Sequence, residues 1–361
     1  MINLKKIILK FTNLFFYCLG FYYILKFINR KKLRILMYHG IDNQQTNINL
    51  EDSSLVVSTK NFEKQINYLS KSYDIISLED ISSHIKKKIP LPSNSVAITF
   101  DDGLKNNFTN AFLILQKYNI KATIFLITDY INAVKRNWLN NFFYFTKEIG
   151  LSEFVEEFKR EFPEYLGLIG KIDQKNIIKP IISILDYKIH ENIREKFMQH
   201  LYNKYKIKIN KNKIEDLYLS WKEIKIMANA GISFGSHTST HPILSNLDYE
   251  KTEKEIVNSK KNIEAKLDKK TNLFSYPYGY KDSFDAKTKK ILANNNFLCA
   301  VSTVDGFNDL NSDLFELKRI CIIDEPFYHF KLRIEGFEGF IEKIYQKLYR
   351  YFKRNTFLPY P

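Results

Sequence analysis

The sequence predicts an α/β fold, a deformed (β/α)7 barrel of parallel strands that carries an inserted helical subdomain. Three observations lead there. Short apolar runs of strand length alternate with amphipathic helical stretches, the rhythm of strands joined by crossover helices. Seven such strand-like runs occur. The rhythm stops over residues 129–219, where only helical patterns are found, and then resumes.

The strands are expected at 33–39, 95–100, 122–127, 232–236, 273–276, 298–303 and 316–322. The clearest helices between them are 62–70, 106–118, 221–230 and 249–267. The third is well delimited. Ser220-Trp221-Lys222-Glu223 is a capping box, and Gly231 stands where a helix C-cap belongs. Within the insertion, 151–162 and 193–205 read as helices and carry no catalytic motif. Their role is open between a lid and substrate selection. The layout that follows is a hydrophobic membrane-associating segment (1–32), a first barrel part (33–128), the helical insertion (129–219), a second barrel part (220–325) and a basic amphipathic tail (326–361).

Composition fits a globular protein with a sizeable core: 361 residues, 45% hydrophobic and 26% charged. The net charge of +15 attracts polyanions. No helix-turn-helix, finger or RNP pattern accompanies it, so nucleic acid is not an expected partner. Cys18, Cys299 and Cys321 offer neither a disulfide framework nor a metal knuckle, and the last two sit in strand-like runs expected in the core.

Both ends suggest a membrane surface. No residue from 11 to 25 is charged, and Lys10, Lys26, Arg30, Lys31 and Lys32 surround this run. It is shorter than the ~20 residues of a spanning helix, and no small-residue cleavage site follows. A membrane anchor or a helix lying in the interface is expected, with a helix docked on the domain as the alternative. Cations flank both sides and do not fix the orientation. Near the C-terminus, Phe340, Ile344, Leu348 and Phe352 recur every fourth residue among Lys343, Lys347, Arg350, Lys353 and Arg354. That pattern is a basic amphipathic helix, fit for an anionic membrane or for docking on the barrel.

Functional residue types gather where strands end. The run 96–100 leads into Asp101-Asp102-Gly103, 232–236 into His237 with His241 four residues on, 33–37 into Tyr38-His39-Gly40, and 273–276 into Pro277-Tyr278-Gly279. Barrel active sites are built at the C-terminal ends of strands. Adjacent carboxylates repel and call for a cation or a shared proton. Consecutive strand residues point to opposite sides, so the two can serve different tasks. Two histidines and one carboxylate suit a zinc-like divalent ion with an open position, at which a water is acidified and a carbonyl polarised. The second carboxylate can then take the water's proton. Each motif alone is weak. Asp-Asp-Gly is usually a turn, His-x-x-x-His is often a helix-face coincidence, and His84, His190, His200 and His329 read as surface or core residues.

In combination the motifs resemble a known family. Thr99-Phe100-Asp101-Asp102-Gly103, followed by a helix and Lys121-Ala122-Thr123-Ile124-Phe125-Leu126, is similar to the first motif of polysaccharide deacetylases, the NodB-homology group of carbohydrate esterase family four. Ser236-His237-Thr238-Ser239-Thr240-His241 resembles the second, and Ser275-Tyr276-Pro277-Tyr278-Gly279 the third. The resemblance spans roughly 33–323, less the insertion. It implies Asp101 as general base, Asp102, His237 and His241 as metal ligands, and the Tyr278 backbone N–H as an oxyanion donor. It also implies hydrolysis of an N-acetyl group on an amino sugar.

Two departures stand out. The third motif lacks its usual Arg, and where the fifth has Leu-x-His this chain reads Leu317-Lys318-Arg319. An Arg cannot serve as proton donor at neutral pH. Met37-Tyr38-His39-Gly40 resembles the opening of the circularly permuted subgroup acting on exopolysaccharides and biofilm glucosamine polymers. By that likeness His39 protonates the leaving amine, with a structural hydrogen-bonder as the alternative; Arg319 is separately expected to orient Asp101 in place of the missing Arg. Asp305 corresponds loosely to a fourth motif as a tether. Expected, then, is a membrane-associated enzyme of the bacterial cell envelope, on a side left open, acting on an N-acetylated polysaccharide or oligosaccharide. Its cofactor is a divalent metal, zinc by default with nickel, cobalt or iron able to use the same ligands. The alternatives are an O-deacetylase or amidase on a smaller glycoconjugate and a non-catalytic glycan-assembly protein.

Overall fold

The computed structural model describes residues 12–42, 55–133, 138–169, 177–207 and 217–341. The strands among them are β1 (Arg34–Tyr38), β2 (Gly40–Ile41), β3 (Val56–Val57), β4 (Asp74–Ile75), β5 (Ser95–Phe100), β6 (Thr123–Leu126), β7 (Ser233–Ser236), β8 (Leu273–Ser275), β9 (Cys299–Val301) and β10 (Ile320–Cys321). The main sheet runs β10-β1-β5-β6-β7-β8-β9, with β4 added beside β5, and its pairs are parallel. β1, β5 and β6 are buried along their whole length, as a parallel sheet covered on both faces requires.

The two ends of the sheet meet. Leu317 bridges Val301 in parallel, and the Ser302 N–H donates to the Leu317 carbonyl at 2.8 Å. A few residues on, Ile320 lies opposite Leu36 of β1. The stretch 317–321 therefore bonds to both β9 and β1 and closes the barrel. All seven expected strands form. The two-residue strands β2, β3 and β4 were not expected, because so short a run shows no periodicity.

The helices follow their caps. Ser58, Ser220 and Asp248 each accept the backbone N–H three residues on, opening helices Thr59–Ser72, Trp221–Asn229 and Tyr249–Leu267. The helix expected at 106–118 differs. It opens as wide π-type turns over Asn107–Phe112 and tightens to α only over Leu113–Lys117. The wide start puts two amide side chains beside β1. Asn107 Nδ2 donates to the His39 carbonyl at 2.7 Å, and Asn106 Oδ1 accepts the Ile41 N–H at 3.3 Å.

The insertion contains helices Trp138–Ile149, Leu151–Glu161, Leu166–Ile169, Ile178–Tyr187 and Glu191–Lys204, packed on their own core around Phe142, Phe154, Phe158, Leu185 and Phe197. Its entry and exit form a neck. The Asn132 N–H donates to the Leu219 carbonyl at 3.2 Å, and the Leu219 N–H donates to the Gly103 carbonyl at 2.9 Å. The returning chain thus lies directly on the Asp-Asp-Gly turn.

At the opposite end of the barrel, Arg34 and Glu335 form a fully buried ion pair. Arg34 Nε also donates to the Ile334 carbonyl at 2.9 Å, and the Tyr73 hydroxyl donates to Glu335. A buried charge of this kind is tolerable only when paired and hydrogen-bonded. The network fastens the helix Phe327–Ile334 to the start of β1. The helix Phe21–Ile28 packs there too, through Tyr22 and Leu25 against Leu332 and Phe337. The apolar run read as one helix is broken at Gly20 (φ 69°), and among the described residues no helix is long and apolar enough to cross a membrane. Of the amphipathic pattern expected at 340–357, Phe340 and Ile341 are described and helical, and the remainder lies outside the described residues. Cys299 is in the core as expected, whereas Cys321 is only half-buried.

Candidate metal and catalytic site

The strand ends deliver a converging set of donors. Asp102 Oδ1 lies 3.5 Å from His237 Nε2 and 3.8 Å from His241 Nε2. Two bonds of ~2.1 Å at a tetrahedral angle subtend about 3.4 Å, so the three atoms fit one zinc-sized ion. His237 Nδ1 lies 2.7 Å from the Ser275 carbonyl oxygen, which can only accept, so the proton sits on Nδ1 and Nε2 presents its lone pair inward. Burial, with the neighbouring His237 ring disfavouring a second positive charge, lowers His241 well below the usual imidazole range and keeps it in the neutral form that ligates metals. Burial raises Asp102 to about 6; Asp101 adds to the rise and His237 opposes it. A cation would reverse that shift.

Local backbone geometry aims these groups. Asp101 and Asp102 diverge because Asp102 lies past the end of β5 at φ 72°, not because strand residues alternate as the sequence had suggested. Gly103 follows at φ 70°, where an added Cβ would sit 2.7 Å from Leu126 Cδ2. His237 and His241 are not on a helix. Thr238 and His241 adopt φ 67° and 63°, folding the segment into a tight turn. Glu255 clamps it: Oε2 accepts the N–H groups of Ser239 and Thr240 at 2.9 Å each, and Oε1 accepts the Thr240 hydroxyl at 2.9 Å.

Asp101 is gripped from below. Arg319 Nη1 donates to Oδ1 at 2.8 Å and Nη2 to Oδ2 at 2.6 Å, a bidentate pair between a fully buried guanidinium and a carboxylate only 2% exposed. Arg319 also donates to the Ser302 carbonyl (2.8 Å), the Thr99 hydroxyl (3.2 Å) and the Ser275 hydroxyl (3.0 Å). Burial alone would raise Asp101. The guanidinium overrides it, helped by His237 and His39, and holds the carboxyl far below the usual carboxylate range. The sequence placed Arg319 near Asp101; it gave no sign of Ser275, Ser302 or Thr99 as its partners. Asp305, the loose fourth motif, feels Arg333 and Lys318 instead, and Ser302 of the same loop is the residue that touches Arg319.

His39 follows β1 directly, and its charge acts on both Asp101 and His241. Tyr278 has φ 60° and its ring centroid is 5.0 Å from that of His241. Gly279 beside it (φ 67°) admits no side chain, since a Cβ would lie 2.7 Å from the Thr303 nitrogen. The remaining histidines stand outside the ligand cluster, and His200 is exposed on the surface. His84 bonds the Ile89 carbonyl, His190 caps the helix Glu191–Lys204, and His329 lies 3.5 Å from Glu325. Beside His241 of the candidate ligand cluster, the insertion and the barrel line two open clefts. One, of about 550 Å³, runs between Trp138, Arg194 and Tyr202 and the Thr240–His241 turn. The other, of about 330 Å³, lies between Asp186, His190 and Arg194 and the His241–Tyr278 pair.

Comparison with known proteins points one way. The polysaccharide deacetylase family model matches residues 88–161 and 188–299. YxkH of Bacillus subtilis (strain 168), named for the same family, is 24% identical over 292 residues, 81% of this chain and 71% of that protein. The poly-beta-1,6-N-acetyl-D-glucosamine N-deacetylase of Staphylococcus epidermidis is 38% identical over 86 residues, 23% of this chain and 29% of its own length. Among solved structures, the Streptococcus pyogenes deacetylase PplD shares the fold with a TM-score of 0.53 at 21% identity, covering 81% of this chain and 92% of PplD.

The clamp on the His241 turn generates a prediction. Glu255→Ala removes all three of its hydrogen bonds, and Zn²⁺ affinity is expected to fall about 10–100-fold, the usual cost of losing a partner that orients a ligand. Calorimetric titration of Zn²⁺ into the variant reads this; unchanged affinity would mean that the turn holds itself.

Proposed function

The chain belongs to the polysaccharide deacetylase family, and on that premise we propose that it hydrolyses the acetamido group of N-acetylated amino sugars in a cell-envelope or extracellular polysaccharide, using a divalent metal held by Asp102, His237 and His241. Zinc is the default ion for that donor set. When bound, the metal supplies polarisation of the acyl carbonyl and acidification of the attacking water. The observation that carries the reading is the Asp101 carboxylate beside the ligand cluster, left unprotonated and fixed in orientation by the bidentate Arg319. The Tyr278 backbone N–H serves the developing oxyanion, a contribution of several kcal/mol in comparable sites. His39 gives its proton to the leaving amine, a role Arg319 cannot fill. A poly-beta-1,6-N-acetylglucosamine polymer is the first substrate to try, given the Staphylococcus relative.

The same reading extends to location. Phe15, Leu19, Tyr23, Ile24, Phe27 and Ile28 form an exposed apolar face on the N-terminal helices, with Arg30, Lys31 and Lys32 following it. Apolar residues beside cations suit the surface of an anionic bilayer, with the helices lying in the interface rather than crossing it.

Three outcomes are expected. Purified protein should release acetate from β-1,6-linked N-acetylglucosamine oligomers, and a chelator should abolish the release; a panel of N- and O-acetylated glycans without any acetate release would sink the enzyme reading. His39→Ala should lower turnover by about 10²-fold or more with metal content unchanged, and a near-normal rate would leave His39 a purely structural role. The full chain should float with phosphatidylglycerol vesicles, and Phe27→Glu with Ile24→Glu should abolish flotation. Flotation that survives both changes would remove this face from the argument.

A further inference from the structure

The helical insertion reaches the oxyanion loop through Asp186, which lies between the two stretches matched by the family model, 88–161 and 188–299. Asp186 lies in the last turn of the helix Ile178–Tyr187, and its side chain is only 3% exposed. Its Oδ1 accepts the Tyr278 hydroxyl at 2.8 Å and lies 3.4 Å from Arg194 Nη1. Arg194 in turn donates to the Leu185 carbonyl at 3.1 Å and stacks 4.7 Å over the Trp138 ring. Arg194 lines both cavities beside the metal ligand His241, so this chain of contacts runs from the cleft wall to Tyr278.

Tyr278 needs such support. A left-handed backbone at φ 60° is disfavoured for a residue with a Cβ, and the direction of its N–H depends on that conformation being kept. The barrel holds the peptide from one side: Thr303 Oγ1 donates to the Tyr278 carbonyl at 2.7 Å, and the Thr303 N–H donates to the Gly279 carbonyl at 2.9 Å. From the other side the grip on the side chain comes from Asp186.

We propose that Asp186 is a positioning residue for the deacetylation: from the insertion it holds the Tyr278 side chain, and through it the backbone N–H that faces the reacting carbonyl. The insertion thereby supplies more than the roof of the cleft. A glycan lying along it, against the Arg194 guanidinium and the amides of Asn141 and Gln199, bears on the same contacts that set the oxyanion donor. The inference rests on the function proposed above.

The test is a double-mutant cycle in the metal-loaded full chain, read as kcat and KM for acetate release from a β-1,6-linked N-acetylglucosamine oligomer. Asp186→Ala and Tyr278→Phe should each lower kcat about 10-fold, the scale expected of a coupled pair, with the change falling on kcat more than on KM. The double variant should be no worse than either single one. Asp186→Asn keeps an acceptor for the Tyr278 hydroxyl and should retain at least about half of the rate. Tyr278→Phe at the wild-type rate, or losses that multiply in the double variant, overturn the proposal while leaving the deacetylase reading intact. A wild-type protein that releases no acetate overturns both. Because Asp186→Asn and Tyr278→Phe are nearly isosteric, a folding failure of Asp186→Ala does not decide the matter.

Discussion

Alone, either Arg319 or Asp101 would be an uncompensated charge inside the barrel, at a cost of several kcal/mol for each ion. Together they satisfy one another through two parallel hydrogen bonds, and the donors left over on the guanidinium go to Ser302, Thr99 and Ser275. The side chain thus ties β5, β8 and the segment after β9 to a single planar group. Two further properties depend on it. The carboxylate stays ionised at any physiological pH, and its orientation is fixed before anything binds. Ser275 also links the two halves of the site, since its hydroxyl accepts from Arg319 while its carbonyl sets the tautomer of His237.

Around that floor, the ligands are aimed by turns rather than by regular structure. The parallel barrel brings the ends of β5 and β7 together, and left-handed residues at Asp102, Thr238, His241 and Tyr278 then turn side chains and N–H groups inward. Such conformations persist only when their surroundings hold them. Here Glu255 grips the His241 turn, Thr303 grips the Tyr278 peptide, and the chain returning from the insertion lies on the Asp-Asp-Gly turn.

The legible part of the molecule was the part built from periodic or punctuated sequence. Most of the seven barrel strands stood out because they are short, largely apolar runs, and four of them lead straight into Asp, His or Pro. The ligands stood out because they cluster at those ends. Asp186 carried no signal, since its partner is Tyr278, 92 positions away, and nothing in a helical stretch marks one acid among many. Ser275 and Ser302 were hidden for a similar reason: half of what they contribute is a backbone carbonyl, which every residue has. The N-terminal run misled through one residue. Gly20 sits in an otherwise continuous apolar pattern, and its left-handed backbone splits one expected helix into two.

Closure of the barrel by the stretch 317–321 also bears on synthesis. The guanidinium that secures Asp101 comes 218 residues later in the chain. At roughly 5–20 residues per second, the ribosome needs roughly 10–40 s to deliver it. Throughout that interval the nascent chain holds its acidic pair without a counterion and its first strand without its last neighbour. Pairings of such long sequence separation form slowly, after the loop entropy between them has been overcome. The bidentate grip on Asp101 is therefore complete only once the last strand has docked.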